Sequence, residues 1–150
     1  MAINTSHSHA VNVGQVFTPI TWAEWLLLRW GVFDAWITGA SVCDPTAGDG
    51  VFALALFRLA RARGIAVKPE MLAKLTLIEV QPKHLQTFRS KASRDFGVEF
   101  PDSGVFSQDI ITEPHSSKYD ILVGNPPWAN FTDLPPFYKD QLKPFFVAEG

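Results

Sequence analysis

The sequence contains a single cysteine, no long hydrophobic run and no excess of positive charge. The lone Cys43 excludes an intrachain disulfide and a zinc site built from cysteines, and it fits the reducing cytoplasm in which we expect the protein. The most apolar stretch, residues 22–33, is interrupted by Glu24 and Arg29 and is too short to cross a bilayer. We therefore expect neither a membrane span nor a bound metal.

The sequence also lacks the charge and the glycine motifs of several ligand-binding classes. A formal net charge of −2 is not the positive surface with which proteins usually neutralise nucleic-acid phosphates. Neither the G-x-G-x-x-G pattern of dinucleotide-binding proteins nor the Lys-Ser/Thr of a P-loop is present. Dinucleotides and nucleoside triphosphates are therefore disfavoured as ligands.

Length and composition indicate one domain. The 150 residues, of which 47% are hydrophobic, can bury the core of one domain but not of two. The polar, His- and Ser-rich start lacks the basic and apolar regions of a secretory signal. We expect a flexible arm over residues 1–13, followed by a single domain over residues 14–150.

Hydrophobic patterns predict strands and helices in alternation. The first predicted helix covers residues 20–30, and Thr21 and Glu24 are spaced in it as a capping box. The elements predicted after it are strand 41–43, helix 51–63, strand 75–78, helix 82–96, strand 105–109 and strand 119–123. Such alternation gives parallel strands joined by crossover helices, so we predict an α/β fold with a doubly wound, mostly parallel sheet.

Several other residues are predicted to have structural roles. Residues 65–74 are interpreted as a surface insertion before the second strand. Trp22, Trp25 and Trp30 lie at helical spacing and are predicted to belong to the core. His84 is predicted to lie on the surface.

Polar side chains end each of the four predicted strands. These residues are Asp44, Glu79, Asp109 and Asn125. In open parallel sheets ligands bind beyond the carboxyl ends of the strands, so the four residues are candidates for one common site.

The loop from Asp44 to Gly50 favours a cationic nucleoside ligand. Its glycines allow a ligand to approach the backbone, and the start of the next helix favours a carboxylate. Asp44 and Asp49 would repel a pyrophosphate but suit the ammonium and sulfonium groups of S-adenosylmethionine. Glu79 is positioned to accept hydrogen bonds from both ribose hydroxyls. Taken alone, the loop fits an ordinary Asp/Pro/Gly turn equally well, and a lone acid such as Asp109 fits a turn cap.

The segment Asn125-Pro126-Pro127-Trp128 predicts a site for an exocyclic amino group. Such an amine is a poor nucleophile because its lone pair is delocalised into the ring, and hydrogen-bond acceptors must hold its N–H groups. The Asn125 side chain and the Pro126 carbonyl provide two acceptors in a stiff loop. Trp128 offers a face for stacking a planar base. The alternative is a proline-rich turn with an aromatic residue pinned beneath it.

Taken together, these motifs resemble the amino-methyltransferases of restriction–modification systems. The segments that carry the resemblance are Gly14–Pro19, Asp44–Phe52, Ile78–Glu79, Asp109 and Asn125–Trp128. Their order looks like that of the gamma class of adenine-N6 DNA methyltransferases.

The resemblance implies a role for each matched residue. Residues implied to bind S-adenosylmethionine are Phe17, Thr18, Pro19, Asp44, Ala47 and Gly48, with Glu79 on the ribose and Asp109 on the adenine amino group. The implied catalytic motif is Asn125, Pro126, Pro127 and Trp128, in which Asn125, Pro126 and Trp128 hold the target base. The implied fold is the Rossmann-like methyltransferase sheet.

Members of this family continue with further strands and a separate DNA-recognition domain. We therefore expect this chain to be the incomplete N-terminal part of such an enzyme and to be inactive alone. DNA is expected to bind through the C-terminal region, and a restriction or specificity subunit is a further candidate partner. Two alternatives stay open: a protein glutamine or ribosomal-RNA amino-methyltransferase, and a catalytically silent module that binds the cofactor or a partner.

Overall fold

The computed structural model describes residues 17–113, 115–128, 132 and 134–147. The predicted arm, residues 1–13, and the Gly14–Val16 start of the first motif lie outside the described residues. The chain divides into two units. Residues 17–126 form one of them, and the described part of the other consists of residues 127, 128, 132 and 134–147.

The first unit alternates helices and strands. Its elements are helix α1 (Ile20–Arg29), helix α2 (Val32–Ile37), strand β1 (Val42–Asp44), helix α3 (Val51–Ala62), helix α4 (Pro69–Leu72), strand β2 (Leu75–Ile78), helix α5 (Pro82–Phe96), a 3₁₀ turn (Asp102–Gly104), strand β3 (Val105–Phe106) and strand β4 (Ile121–Leu122). The predicted helices over residues 51–63 and 82–96 are confirmed to within one residue at each end.

The four strands form one parallel sheet in the order β3-β2-β1-β4. Val42 pairs with Leu75 on one side and with Ile121 on the other. The prediction of an α/β fold with a mostly parallel sheet is confirmed, since every described pairing is parallel. The strand order is compatible with a fragment of a Rossmann-like sheet.

Strands β3 and β4 are shorter than the predicted ranges 105–109 and 119–123. Each can pair only along the strand beside it, and β1 and β2 are themselves short. Within the described residues no strand pairs with the outer side of β4, where Leu122 is 68% exposed. That side of the sheet is therefore an open edge.

The core is built around helix α3, which packs against both α1 and α5. Most of its residues are buried, because it has neighbours on several sides. The Phe57 ring lies at the centre of an aromatic cluster, with ring centroids 6.2 Å from Trp36 and 6.4 Å from both Phe88 and Phe100. Such rings stabilise the fold by their large buried area and by tilted contacts.

Helix α1 differs from its prediction in two respects. Thr21 forms no capping box, because Pro19 precedes the helix and Glu24 instead pairs with Arg58 at 3.0 Å. The tryptophans predicted to be core are on the surface, with Trp22, Trp25 and Trp30 60%, 53% and 75% exposed. The buried side of α1 carries Ala23 and Leu27, and the small alanine allows close approach to α3.

The segment 65–74, predicted to be a surface insertion, is mostly exposed, but part of it packs against the core. It contains α4, whose Leu72 is buried, and the Met71 carbonyl accepts a 3.0 Å hydrogen bond from Nε1 of the fully buried Trp36. The segment therefore covers the core beneath α2, a helix that was not predicted.

The described part of the second unit is mainly helix α6 (Pro136–Val147), which contains Pro144. The Lys139 ammonium donates a 2.6 Å hydrogen bond to the Thr132 carbonyl. Across the described residues of both units, no helix is long and apolar enough to span a membrane, and no three metal-ligating side chains come together.

Two glycines with positive φ allow a matched stability test. Gly50 begins α3 at φ 73° and a Cβ there would overlap the Phe88 ring, whereas Gly97 ends α5 at φ 65° with open space around it. We expect Gly97→Ala to cost about 1 kcal/mol of unfolding free energy, from backbone strain alone. Gly50→Ala should cost about 1–3 kcal/mol more, because the core is overpacked. Urea denaturation measures both, and equal losses would contradict the packing at Phe88.

Candidate active site at the carboxyl ends of the strands

The strand order indicates where a ligand would be expected, at the ends of β1 and β4. Strands β2 and β3 lie on one side of β1 and β4 lies on the other, so the order of strands reverses between β1 and β4. In parallel α/β sheets the carboxyl ends of the strands at such a reversal form the usual ligand-binding crevice. The predicted cofactor loop, Asp44–Gly50, follows β1, and the Asn-Pro-Pro motif follows β4.

Gly124 brings these two loops into direct contact. A Cβ at this residue would lie 2.9 Å from the Asp44 Oδ1 atom and 3.2 Å from the Thr46 hydroxyl oxygen. The Val123 amide also donates a 2.9 Å hydrogen bond to the Cys43 carbonyl, which continues the pairing of β4 with β1. The Asp44–Gly50 loop and the residue before Asn125 are therefore in contact, and a side chain at Gly124 would require Asp44 or Thr46 to move.

The Glu79 carboxylate holds the glycine-bearing loop against the sheet. Its Oε2 accepts a 2.8 Å hydrogen bond from the Gly48 amide, and its Oε1 accepts one of 2.9 Å from the Gln81 amide. The Ala47 amide donates a further 2.8 Å bond to the Ile78 carbonyl. Glu79 is only 7% exposed. Sequence analysis missed this role, but each carboxylate oxygen retains a second acceptor position for a ligand hydroxyl.

Asp44 is a buried acid without a cation beside it among the described residues. It is 5% exposed, and its Oδ1 accepts a 3.1 Å hydrogen bond from the Thr46 amide. Burial, with a further contribution from the negative charge of Glu79, raises the pKa of Asp44 to about 7 despite that hydrogen bond. A positively charged ligand near Asp44 would favour the ionised carboxylate.

Asp49 has its own basic partners, in contrast to Asp44. Its Oδ1 lies 2.5 Å from His84 Nδ1 and its Oδ2 accepts a 2.9 Å hydrogen bond from the Lys91 ammonium. Partial burial opposes ionisation of Asp49, but the hydrogen bonds and charges of His84 and Lys91 outweigh it and lower its pKa. Asp49 thus joins the loop to α5. The sequence analysis interpreted both Asp44 and Asp49 as partners for a cationic ligand, but only Asp44 remains a candidate for that role.

The partners of Asp49 carried a signal in the sequence. His84 was predicted to lie on the surface, yet its side chain is only 12% exposed. His84 and Lys91 lie about two helical turns apart, on one face of α5. Two basic side chains on one face of the helix after β2 indicate an acidic neighbour, and the nearby loop contains one.

The residues before α1 reach both loops. The Phe17 ring lies over Gly48, where a Cβ would be 3.8 Å from its Cε1 atom, and its centroid is 5.9 Å from the His84 ring. The Thr18 hydroxyl oxygen accepts a 3.1 Å hydrogen bond from Nδ2 of Asn125. The Pro19 carbonyl accepts the first hydrogen bonds of α1. Phe17 therefore lies against the Asp44–Gly50 loop and Thr18 against Asn125, while their role toward a cofactor stays a prediction.

Asp109 is engaged in a local turn. It lies beyond the end of β3, where its Oδ1 accepts a 3.0 Å hydrogen bond from the Ile111 amide and its carbonyl accepts one of 2.8 Å from Glu113. No hydrogen bond of the described residues joins it to the glycine-bearing loop. Its role toward a cofactor stays a prediction.

The Asn-Pro-Pro-Trp motif spans the boundary between the two units. Asn125 and the exposed Pro126 belong to the first unit, whereas Pro127 and Trp128 belong to the second. Within its own unit the Trp128 side chain is exposed, as a residue that stacks on a base has to be.

The sequence matches no family model and no curated protein at a significant level. The chemistry of the crevice must therefore be judged from its own residues. The buried carboxyl groups of Asp44 and Glu79 suit a cation, and Glu79 can accept hydrogen bonds from two neighbouring hydroxyl groups. Asn125 is hydrogen-bonded to Thr18, and the adjacent Phe17 ring lies over Gly48. This combination suits a positively charged nucleoside on one side and a polar substrate group on the other.

The two aspartates of the loop should have opposite effects on stability. The pKa of Asp44 is raised above its ordinary value of 3.8, so its contribution to stability is present below about pH 4 and is lost as pH rises towards 7. Asp44→Asn should therefore stabilise the protein at pH 8, on the order of a few kcal/mol.

The matched control is Asp49→Asn. The pKa of Asp49 is lowered, so its contribution is present at neutral pH and is lost in acid, and this variant should destabilise the protein at pH 8. Urea denaturation between pH 4 and pH 8 measures both effects. A destabilised Asp44→Asn at pH 8 would contradict the cost of burying that charge.

Proposed function

We propose that the protein binds S-adenosylmethionine and transfers its methyl group to the N6 amino group of adenine in DNA. The observation that carries the proposal is the close approach at Gly124, which brings the loop with the buried Asp44 against the loop that contains Asn125. A methyl donor and an amino acceptor must meet at such a junction. The proposal includes a Rossmann-like methyltransferase sheet of the doubly wound kind.

The loop after β1 supports a sulfonium nucleoside better than a phosphate ligand. Asp44 lacks a cationic partner among the described residues, and it offers a negative charge to the ammonium and sulfonium groups. The start of α3 favours the carboxylate of the same ligand. Glu79 has acceptor positions for the ribose hydroxyls, and Asp109 is proposed for the adenine amino group.

The catalytic step requires little acid–base chemistry. The Asn125 side-chain oxygen and the Pro126 carbonyl accept hydrogen bonds from the N6 amino group, which directs the nitrogen lone pair at the methyl carbon. As the N–C bond forms, the C–S bond breaks and its electrons remain on sulfur, leaving S-adenosylhomocysteine. The amino nitrogen then loses its proton to water. Trp128 and Pro127 complete the motif, with Trp128 stacking on a base that has been flipped out of the duplex.

DNA is the proposed substrate and the cytoplasm the proposed compartment. The net charge of −2 is unsuited to binding the phosphate backbone, so we propose that DNA contacts come mainly from a region beyond these 150 residues. A restriction or specificity subunit is the proposed partner. A protein glutamine or ribosomal-RNA amino group as substrate, or no methyl transfer at all, would be the competing result.

Asn125→Ala in the full-length protein should reduce methyl transfer about 10²–10³-fold, because the amino group loses an acceptor that acts in the transition state. Cofactor affinity should be nearly unchanged. Single-turnover transfer from labelled S-adenosylmethionine to plasmid DNA measures the rate, and nucleoside mass spectrometry identifies N6-methyladenine.

Trp128→Ala provides the comparison for that experiment. It should weaken capture of the target base through lost stacking, of about 1–3 kcal/mol, without affecting cofactor affinity. Methylation found only on a protein glutamine or on ribosomal RNA would transfer the protein to the rival amino-methyltransferases. Cofactor binding without any methyl transfer by the wild type would support a silent module.

Glu79→Gln should weaken cofactor binding about 10–100-fold, because it removes one charge-assisted acceptor. Glu70→Gln on the exposed surface of α4 is the matched control and should bind normally. Calorimetry with S-adenosylmethionine and its 2′-deoxy analogue separates ribose recognition from loop support. If Glu79 binds the ribose, the wild type discriminates between the two ligands and Glu79→Gln does so less; unchanged discrimination would refute that assignment.

A further inference from the structure

We propose that Thr18 is a positioning residue for methyl transfer, whose hydroxyl oxygen fixes the orientation of the Asn125 side-chain amide. This inference rests on the proposed function. It assigns Thr18 a role distinct from the cofactor contact that the sequence resemblance implies.

The contact joins two segments far apart in the chain. Nδ2 of Asn125 donates a 3.1 Å hydrogen bond to Oγ1 of Thr18, across 107 residues, and both side chains are partly buried. The torsion that rotates a terminal amide has broad, nearly two-fold preferences, so nothing in the Asn125 side chain itself selects which end faces a substrate. A fixed acceptor on one side makes that selection.

The selection matters because the two ends of the amide have opposite hydrogen-bonding character. The oxygen accepts a hydrogen bond from an amino group, whereas the NH₂ end can only donate and would place its N–H groups against those of the substrate amino group. With Nδ2 engaged by Thr18, the oxygen points away from Thr18 along the other branch of the planar amide. An Asn125 amide that is free to flip would spend part of its time with its donors toward the amino group.

Thr18 is well suited to hold this orientation. Its β-branched side chain restricts χ1, so the hydroxyl direction is stiff. Its neighbours are fixed as well, because the Phe17 ring lies over Gly48 and Pro19 precedes α1 with φ −60°. The hydroxyl that orients Asn125 therefore belongs to the same short segment that lies over the cofactor loop.

The decisive experiment compares Thr18→Val with Thr18→Ser in the full-length protein. Valine keeps the shape but removes the acceptor, whereas serine keeps a hydroxyl. With S-adenosylmethionine at saturation, we expect single-turnover methylation of plasmid DNA to fall about tenfold in Thr18→Val, as for loss of one hydrogen bond. Thr18→Ser should retain most of the rate. The Kd for S-adenosylmethionine should change less than about twofold in both.

A double variant tests whether Thr18 acts through Asn125. If it does, adding Thr18→Val to Asn125→Ala should cause no further loss of rate, because residues that act as a unit are not additive. Independent losses that multiply would overturn the inference. Thermal unfolding checks that the variants fold, and Thr18→Ala replaces Thr18→Val, with the same expectations, if the valine variant does not.

The remaining outcomes separate the inference from the proposed function. A wild-type rate in Thr18→Val overturns the positioning role while the methyltransferase proposal stands. A weaker Kd with an unchanged rate at saturation also overturns it and makes Thr18 a cofactor ligand. Absence of any adenine methylation by the wild type overturns the proposed function and this inference together.

Discussion

One buried carboxylate, that of Glu79, holds the candidate site together. Because Glu79 directly follows β2 and accepts hydrogen bonds from the Gly48 and Gln81 amides, it fixes the glycine-bearing loop to the sheet and the start of α5 to the loop. Hydrogen bonds to a charged acceptor are stronger than neutral ones, so they offset much of the cost of removing the carboxylate from water. This loop carries both Asp44, which lies close to Gly124, and Asp49, which pairs with Lys91. Both contacts therefore depend on the loop being held in this position.

The Glu79 carboxylate also raises the free-energy cost of ionising the neighbouring Asp44. Its charge adds to the effect of burial on the pKa of Asp44, so the protein without a ligand keeps two acids close together at little exposure. A more stable protein would have a neutral residue at Asp44. An acid that costs stability marks a candidate functional site, and the proposed sulfonium ligand would supply a positive charge there.

The part of the fold that follows from local patterns was predictable. The short apolar runs at β1 and β2 end in acids, and their alternation with amphipathic helices predicts parallel strands. The predictions of the fold that were wrong concern contacts between segments distant in the sequence. The spacing of Trp22 and Trp25 shows that they share a helix face but not that Ala23 is on the face that meets α3. Gly31, which directly follows the predicted helix over residues 20–30, instead begins a second helix, α2, at φ 69°.

The candidate site, too, was predictable in its residues but not in the contacts between them. Sequence motifs named Thr18, Asp44, Asp49 and Asn125, and the residue types fit the chemistry, but motifs do not state which atoms meet. Asp44 and Asp49 look equivalent along the chain, yet only Asp49 is reached by the basic face of α5. Asp44 is thus the acid without a basic partner among the described residues, and it lies directly beside Gly124 and the loop of Asn125. In the proposed reaction Asp44 would face the sulfonium and Asn125 the amine, and Gly124 is the residue that lets the loops of these two side chains approach each other so closely.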